Sequence, residues 1–306
     1  MKILIIGGTY FLGREFARIA GEKKENEIFF LNRGSRLSEL PEDIKNKTIV
    51  ADRHDVSKIR EIDHGYFDVV VDFCAYSAGD IRTLAENLSS GFGQYIFIST
   101  TDVYKRGSGK VITEEADFET VDYGGEAGSY ILGKVALEKE IKELSADSDH
   151  NYTVIRPAFI YGPDNYAPRE GIYFNWIIRA GQILSPADSD GFFQMSYVSD
   201  VAKVIYKCCM NKAAYNEAFN VCCEEKETYK SFENSLEEAS QKVFGKDFVK
   251  VDLSVKDVEE KGIMLPFPLK KEESEYYSNT KVKEILGAEF IPLNEGLVYT
   301  AKEYLS

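Results

Sequence analysis

Basic residues are the scarce charge in this 306-residue chain: 37 Lys and Arg stand against 51 Asp and Glu, a formal net charge of −14. Such a balance excludes the diffuse positive surface on which non-specific nucleic-acid or anionic-membrane binding depends, although a local basic patch stays open. Prolines number only 8 and are not clustered, which argues against a disordered or linker-rich chain. No apolar run approaches the ~20 residues of a membrane span, and the N-terminus has no basic segment leading into a hydrophobic stretch and cleavage site. The expectation is a cytoplasmic protein. The five cysteines, Cys74 and the pairs Cys208-Cys209 and Cys222-Cys223, include no Cys-x-x-Cys spacing, and we read them as reduced core thiols. His54, His64 and His150 lie in polar contexts without ligand spacing, so no metal site is expected.

What is present in the first half is a βα rhythm. Short apolar runs (KILIIGG, EIFFLNR, TIVADR, FDVVVDFCAY at 67–76, QYIFIST at 94–100 and YTVIRP at 152–157) alternate with helical patterns over 12–22, 80–88 and 130–144. Runs as apolar as VVV and IFI suit strands buried on both faces. The fold class expected is therefore α/β, a doubly wound parallel sheet (Rossmann) with a smaller C-terminal substrate-binding domain. We place the nucleotide-binding domain at 1–165, with returns to it near 195–223 through SYVSDVAKVIYKC and AFNVCC, and the substrate region at 166–306. The helical stretches 231–244 and 294–304 read as peripheral.

The stretch GGTYFLG follows the first strand and opens the first helix. Glycine ends and unpaired helix N–H groups suit a pyrophosphate, so Gly7, Thr9, Tyr10, Phe11, Leu12 and Gly13 are candidate cofactor contacts. Tyr10 occupies the middle position of the Gly-x-x-Gly-x-x-Gly pattern. It is accommodated if its backbone keeps a negative φ and its ring swings outward; otherwise it packs over or blocks the loop. At the end of the second strand, Asn32, Arg33 and Arg36 in LNRGSR suit a 2′-phosphate better than a free diol, which favours NADP(H) over NAD. Asp52, after the third strand, is placed either to read an adenine amino group or to serve as a turn carboxylate.

Tyr130 and Lys134, four apart in SYILGKVALEKEIKEL, share one helix face. An ammonium beside a phenol stabilises phenolate and lowers a pKa of about 10 toward neutrality, where a tyrosine exchanges protons with a substrate hydroxyl. Taken alone, the pair is more often a solvated surface contact.

In order along the chain, GGTYFLG, VADRHD, FISTTDVY, YILGK, RPAFIYGP, SYVSDVA, AFNV and NTKVKEILG resemble the extended short-chain dehydrogenase/reductase superfamily, specifically its NAD-dependent epimerase/dehydratase group. The resemblance implies hydride transfer with NAD or NADP, Tyr130 as acid/base, Lys134 on the nicotinamide ribose and Thr100 on the substrate oxygen. Strand alternation turns Ser99 and Thr101 away from Thr100. The segment RPAFIYG, shaped by Pro157 and Gly162, is expected to close over the nicotinamide. A small-molecule substrate, such as a sugar, and a homodimer also follow from the resemblance.

Three departures bear on the function. A large residue at position 10 looks like the atypical branch that includes chloroplast stem-loop-binding proteins. Phe193 stands where sugar-nucleotide enzymes commonly carry an arginine for the substrate pyrophosphate, and a ring cannot replace a bidentate guanidinium. Dehydratases place Asp-Glu after the catalytic Thr; here Asp102 is retained as a candidate catalytic acid but its glutamate partner is missing. Arg169, in YGPDNYAPRE, either reaches an anionic substrate group, caps a helix or meets solvent. The rival to an epimerase/dehydratase or reductase is a non-catalytic NAD(P)-binding protein, regulatory or RNA-associated.

Overall fold

The computed structural model describes residues 1–305 apart from 36, 40, 41, 147–149 and 168. From the N-terminus the chain forms β1 (Lys2–Ile6), α1 (Phe11–Gly21), β2 (Glu27–Asn32), α2 (Glu42–Lys45), β3 (Thr48–Val50) and α3 (Val56–Arg60). It continues as β4 (Phe67–Asp72), α4 (Asp80–Asn87), β5 (Phe92–Ile98), β6 (Val111–Ile112), α5 (Gly125–Ala146), β7 (Asn151–Pro157) and β8 (Phe159–Tyr161). The remainder comprises α6 (Glu170–Ala180), β9 (Gln182–Pro186), β10 (Met195–Tyr197), α7 (Val198–Cys208), β11 (Glu217–Val221) and α8 (Tyr229–Phe244). Last come β12 (Val249–Leu253), α9 (Val255–Glu260), β13 (Tyr276–Tyr277), α10 (Thr280–Leu286) and α11 (Leu293–Ala301).

The main sheet has seven parallel strands in the order β11-β7-β5-β4-β1-β2-β3. Successive residues of its central strands feed two different cores. Ile3 and Ile5 of β1, Val69 and Val71 of β4, and Ile96 and Ile98 of β5 join Phe16 and Ala20 of α1 and Val201 and Ile205 of α7. Their neighbours Leu4, Ile6, Val70, Tyr95 and Phe97 join Ile81 and Leu84 of α4 and Leu137 and Ile141 of α5. Each buried leucine- or isoleucine-sized side chain contributes roughly 1.5–3 kcal/mol, so this two-sided covering is what makes VVV and IFI stable as strands. Chain direction across the sheet reverses between β1 and β4, and the crevice beyond the carboxyl ends of those strands is where open α/β sheets place a ligand.

The stretch 196–208 departs from the expected return to the sheet. Ser196 and Tyr197 belong to β10, which pairs with β8 outside the main sheet, and Val198–Cys208 is helix α7. The reason is in the spacing: the buried residues Val198, Val201, Ala202, Ile205 and Cys208 recur every three or four positions. The AFNV piece does enter the main sheet, as β11 beside β7.

A third core gathers Tyr173, Phe174 and Ile177 of α6, Tyr229, Phe232 and Leu236 of α8, Leu293 and Leu297 of α11, and Phe193 and Phe267 from the connecting segments. Helices α8 and α11 are thus central to this region rather than peripheral. Charges dominate the composition of α8, yet Tyr229, Phe232, Leu236 and Ala239 fall on one buried stripe. A capping box at Thr228 and Ser231 fixes where α8 begins.

Candidate active site

The loop after β1 turns through Gly7 and Gly8, both at positive φ (79° and 70°), a conformation that L side chains rarely adopt. A Cβ on Gly8 would lie 2.1 Å from the Ile5 side chain, and one on Gly13 would lie 2.4 Å from the Gly8 Cα. The doublet and Gly13 therefore let the loop and the first turn of α1 touch through backbone alone. Tyr10 caps α1 with extended backbone (φ −141°, ψ 147°); its ring is 44% exposed and tilts against Tyr166 at 5.5 Å. Phe11 follows at φ 39°, an unusual conformation for an aromatic residue. Thr9 lies in a neighbouring cleft along α1, whereas Phe11, Leu12 and Gly13 line the main cleft described below.

At the end of β2 the Asn32 side-chain oxygen accepts from the Gly34 N–H at 2.8 Å, while its buried Nδ2 has no partner. Arg33 is exposed, and Arg36 lies outside the described residues. Asp52 accepts from the His54 backbone N–H at 2.9 Å; that bond, with the nearby His54 ring and Arg33, holds its carboxyl below the ordinary value.

Behind the loop lies a buried ion pair that the sequence patterns do not reveal. Arg53 donates to both carboxylate oxygens of Asp72 (3.0 and 2.8 Å) and to the Asp80 carbonyl (2.8 Å). Burial opposes ionisation of Asp72, but the guanidinium outweighs it and the carboxyl stays below its usual range. The Tyr95 hydroxyl and the Cys74 N–H add further donors to the same carboxylate. Only the three-dimensional pairing of residues nineteen positions apart exposes this element.

The candidate catalytic residues meet where β5 ends. Tyr130, Lys134, Thr100, Asp102 and Pro157 line one cleft of about 440 Å³. Lys134 is 3% exposed and donates to the carbonyls of Ala75 and Ile98, each at 2.8 Å. Its third ammonium N–H has no hydrogen-bond partner among the described residues, and the ammonium lies 5.7 Å from the Tyr130 ring centre. Burial lowers its pKa to about 8, with the field of Asp72 acting the other way. Thr100 lies within hydrogen-bonding reach of Tyr130 and accepts from the Asp102 N–H at 3.2 Å. Ser99 turns instead to Glu138 (2.6 Å), and Thr101 to the Pro157 carbonyl (3.5 Å).

The expected fall in the tyrosine pKa is reversed in the protein by itself. The Tyr130 ring is 37% exposed, but its hydroxyl is desolvated enough to be pushed up to about 12, and Asp102 pushes in the same direction. Lys134 spends two N–H groups on backbone carbonyls and is not among the main influences on the phenol.

The opposite wall comes from the C-terminal half. Phe159, Phe192, Phe193, Gln194 and Tyr277 line it together with Arg169 and Tyr166. Phe193 is itself 2% exposed and stacks on Phe267 with ring centres 3.9 Å apart. Apart from Phe193 and Arg169, no spacing rule on the sequence marks these residues, which come together from around β8, β10 and β13.

Residues 78–222 match the NAD dependent epimerase/dehydratase family. The chloroplast stem-loop binding protein of 41 kDa b from Arabidopsis thaliana is 29% identical over 240 residues, 74% of this chain and 60% of that protein. A UDP-glucose 4-epimerase from Vibrio cholerae is 25% identical over 178 residues, 53% of this chain and 52% of that one. The chain thus spans between half and three-fifths of the length of these curated relatives. Among solved structures, a UDP-glucose 4-epimerase from Thermotoga maritima with UDP-glucose aligns with a TM-score of 0.78 at 20% identity, covering 100% of this chain and 99% of that one. UDP-glucuronic acid 4-epimerase from Bacillus cereus, in complex with UDP-glucuronic acid and NAD, aligns at 0.74 and 16% identity, again over 100% and 99%. At such identities the likeness establishes the fold, a Rossmann-like α/β sheet. No described helix is long and apolar enough to cross a membrane.

The residues present suit a dinucleotide on three counts. Gly8 and Gly13 let the loop and the start of α1 close against each other through backbone, the buried Asn32 amide N–H awaits an acceptor, and Lys134 keeps one unspent N–H inside the cleft.

Proposed function

We propose that this protein is an NAD(P)-dependent oxidoreductase of epimerase or dehydratase type, acting on a hydroxyl or carbonyl of a sugar-like substrate. The observation that carries the reading is the meeting of Tyr130, Thr100 and Lys134 in one cleft that begins at the glycine loop. Residues 1–165 then serve as the nucleotide-binding domain and 166–306 as the substrate-binding region, β11 excepted. Gly7, Tyr10, Phe11, Leu12 and Gly13 frame the diphosphate, Asn32 and Arg33 the adenosine ribose, and Asp52 the adenine.

The dinucleotide supplies the hydride acceptor and donor; the side chains handle the proton. Thr100 donates to the substrate oxygen and orients it. Tyr130, kept neutral by its desolvated setting, is prepared to give its proton to a carbonyl oxygen, the direction of reduction. In the direction of oxidation the phenol must first lose that proton, and the positive charge of Lys134 favours the loss. Lys134 also holds the ribose through its remaining N–H. Asp102, close to Tyr130 and Thr100, is the second acid available for the dehydratase variant of the chemistry. Exposed Arg33 favours NADP(H).

The decisive experiment measures thermal unfolding of the purified protein with NADH, NADPH or neither, and then turnover of sugars by cofactor absorbance. Tyr130→Phe should keep the cofactor-induced rise in Tm while losing about 10²–10⁴-fold in kcat. An unchanged kcat removes Tyr130 from the mechanism. The resemblance to a chloroplast stem-loop binding protein supports a second reading, RNA association without turnover. RNA retention at low salt without any cofactor shift would favour it.

A further inference from the structure

Three cationic side chains line the cleft: Arg106, Lys134 and Arg169. Two are already committed. Arg106 donates to the Asp102 carboxylate at 3.2 Å, and Lys134 is held by two backbone carbonyls. Arg169 is different. One of its five N–H donors reaches the Ile160 carbonyl at 2.8 Å, its guanidinium lies 5.1 Å from the centre of the Phe159 ring, and no carboxylate among the described residues is within ion-pairing distance. The adjacent Glu170 turns away, accepting from the Gly162 N–H at 2.9 Å and the Asn165 amide at 3.0 Å. The charge of Arg169 nevertheless reaches Tyr130 and Asp102. A partly buried, stacked guanidinium with donors to spare, facing the proton-transfer residues, is suited to hold an anion in place.

The rest of the cleft limits what that anion can be. Phe192, Phe193 and Pro268 form apolar wall, and the acidic side chains at the lining are Asp102, Glu273 and Glu275. A diphosphate needs its charge met at more than one point, and here one uncommitted cation faces three carboxylates. The cleft volume of about 440 Å³ must also admit the nicotinamide end of the cofactor, which leaves room for a small molecule.

We propose that Arg169 anchors a single anionic group, a carboxylate or a phosphate monoester, on a small polyhydroxylated substrate that carries no nucleotide. This deepens the oxidoreductase reading above and rests on it.

The test uses the full chain saturated with whichever dinucleotide raises its Tm, titrated calorimetrically with glucose, glucuronate, glucose 6-phosphate and UDP-glucose. At least one of glucuronate and glucose 6-phosphate should bind about tenfold or more tightly than glucose, and UDP-glucose no more tightly than glucose. Which of the two anions prevails separates the carboxylate from the phosphate. Arg169→Gln should reduce the preference to less than about twofold and Arg169→Lys should retain part of it, both with the cofactor-induced Tm rise intact. Failure of both anionic sugars to outbind glucose, tightest binding by UDP-glucose, or an undiminished preference in Arg169→Gln overturns the assignment. If no dinucleotide raises the Tm of the wild type, the oxidoreductase reading itself falls, and this assignment with it; a normal cofactor response without anion preference removes Arg169 alone.

Discussion

On the side of the main sheet the chain buries charge, whereas across the cleft it buries rings. On the side of the main sheet, Arg53–Asp72 and Arg156–Glu138 are almost fully enclosed; Arg53 also donates to the Asp80 carbonyl, and Arg156 to the Tyr104 hydroxyl and the Glu114 carbonyl. On the opposite side, Phe159, Phe193, Tyr229, Phe232 and Phe267 pack edge-on or stacked. Both arrangements make a stiff wall by different physics. An ion pair in low dielectric holds its partners to one geometry and penalises every alternative, while an aromatic cluster tolerates repacking at moderate cost. Under the proposed function, fixed chemistry belongs on the first wall and variable recognition on the second.

The sharpest way to break this contrast is Arg53→Met, which leaves Asp72 buried without its cation and should cost about 3–5 kcal/mol at pH 7 in denaturant unfolding. Asp72 is held below the ordinary carboxylate value, so its stabilisation is complete above an unfolded value of about 3.9 and is lost as the pH falls through the lower native value. Without Arg53 the carboxyl is free to stay protonated, so the penalty should shrink as the pH is lowered from 7 toward 4. A pH-independent penalty would deny the ion pair its role. Phe267→Ala on the opposite wall should cost about 3 kcal/mol, near the low end for ring truncation, with no comparable pH dependence and an unchanged cofactor response. Next is Gly13→Ala, whose methyl group meets the Gly8 backbone: about 1–3 kcal/mol of stability and most of the dinucleotide-induced Tm shift should be lost. The smallest effect is expected of Arg33→Ala, an exposed site, which should weaken NADPH by about fivefold and leave NADH unchanged. Equal weakening of both would dissociate Arg33 from a 2′-phosphate.

The same contrast explains what could be read from the chain beforehand. Doubly buried strands announce themselves as uninterrupted apolar runs, and a glycine turn or a Tyr-x-x-x-Lys spacing is local, so the sheet, the loop and the shared placement of Tyr130 and Lys134 were legible. The partner of Asp72 was not, because an ion pair between a strand end and a distant turn leaves no periodic mark. Helix α7 was mistaken for a return to the sheet because its apolar content was weighed ahead of its spacing. Charged residues around the stripe of Phe232 and Leu236 likewise hid the central place of α8. The aromatic wall depends on segments distant in sequence, and the unpaired state of Arg169 is defined only by what surrounds it.

Helix α5 presents Tyr130, Lys134 and Glu138 one turn apart, and each engages a different part of the crevice: Thr100, the Ala75 and Ile98 carbonyls, and Ser99 with Arg156. These anchors set both the rotational phase and the axial position of the helix. Removing a single residue between 130 and 138 would turn part of that row by about 100° and shift it by about 1.5 Å, so the three engagements could not be kept together. The helix acts as a key with three teeth, and drift in its length can be absorbed only beyond them.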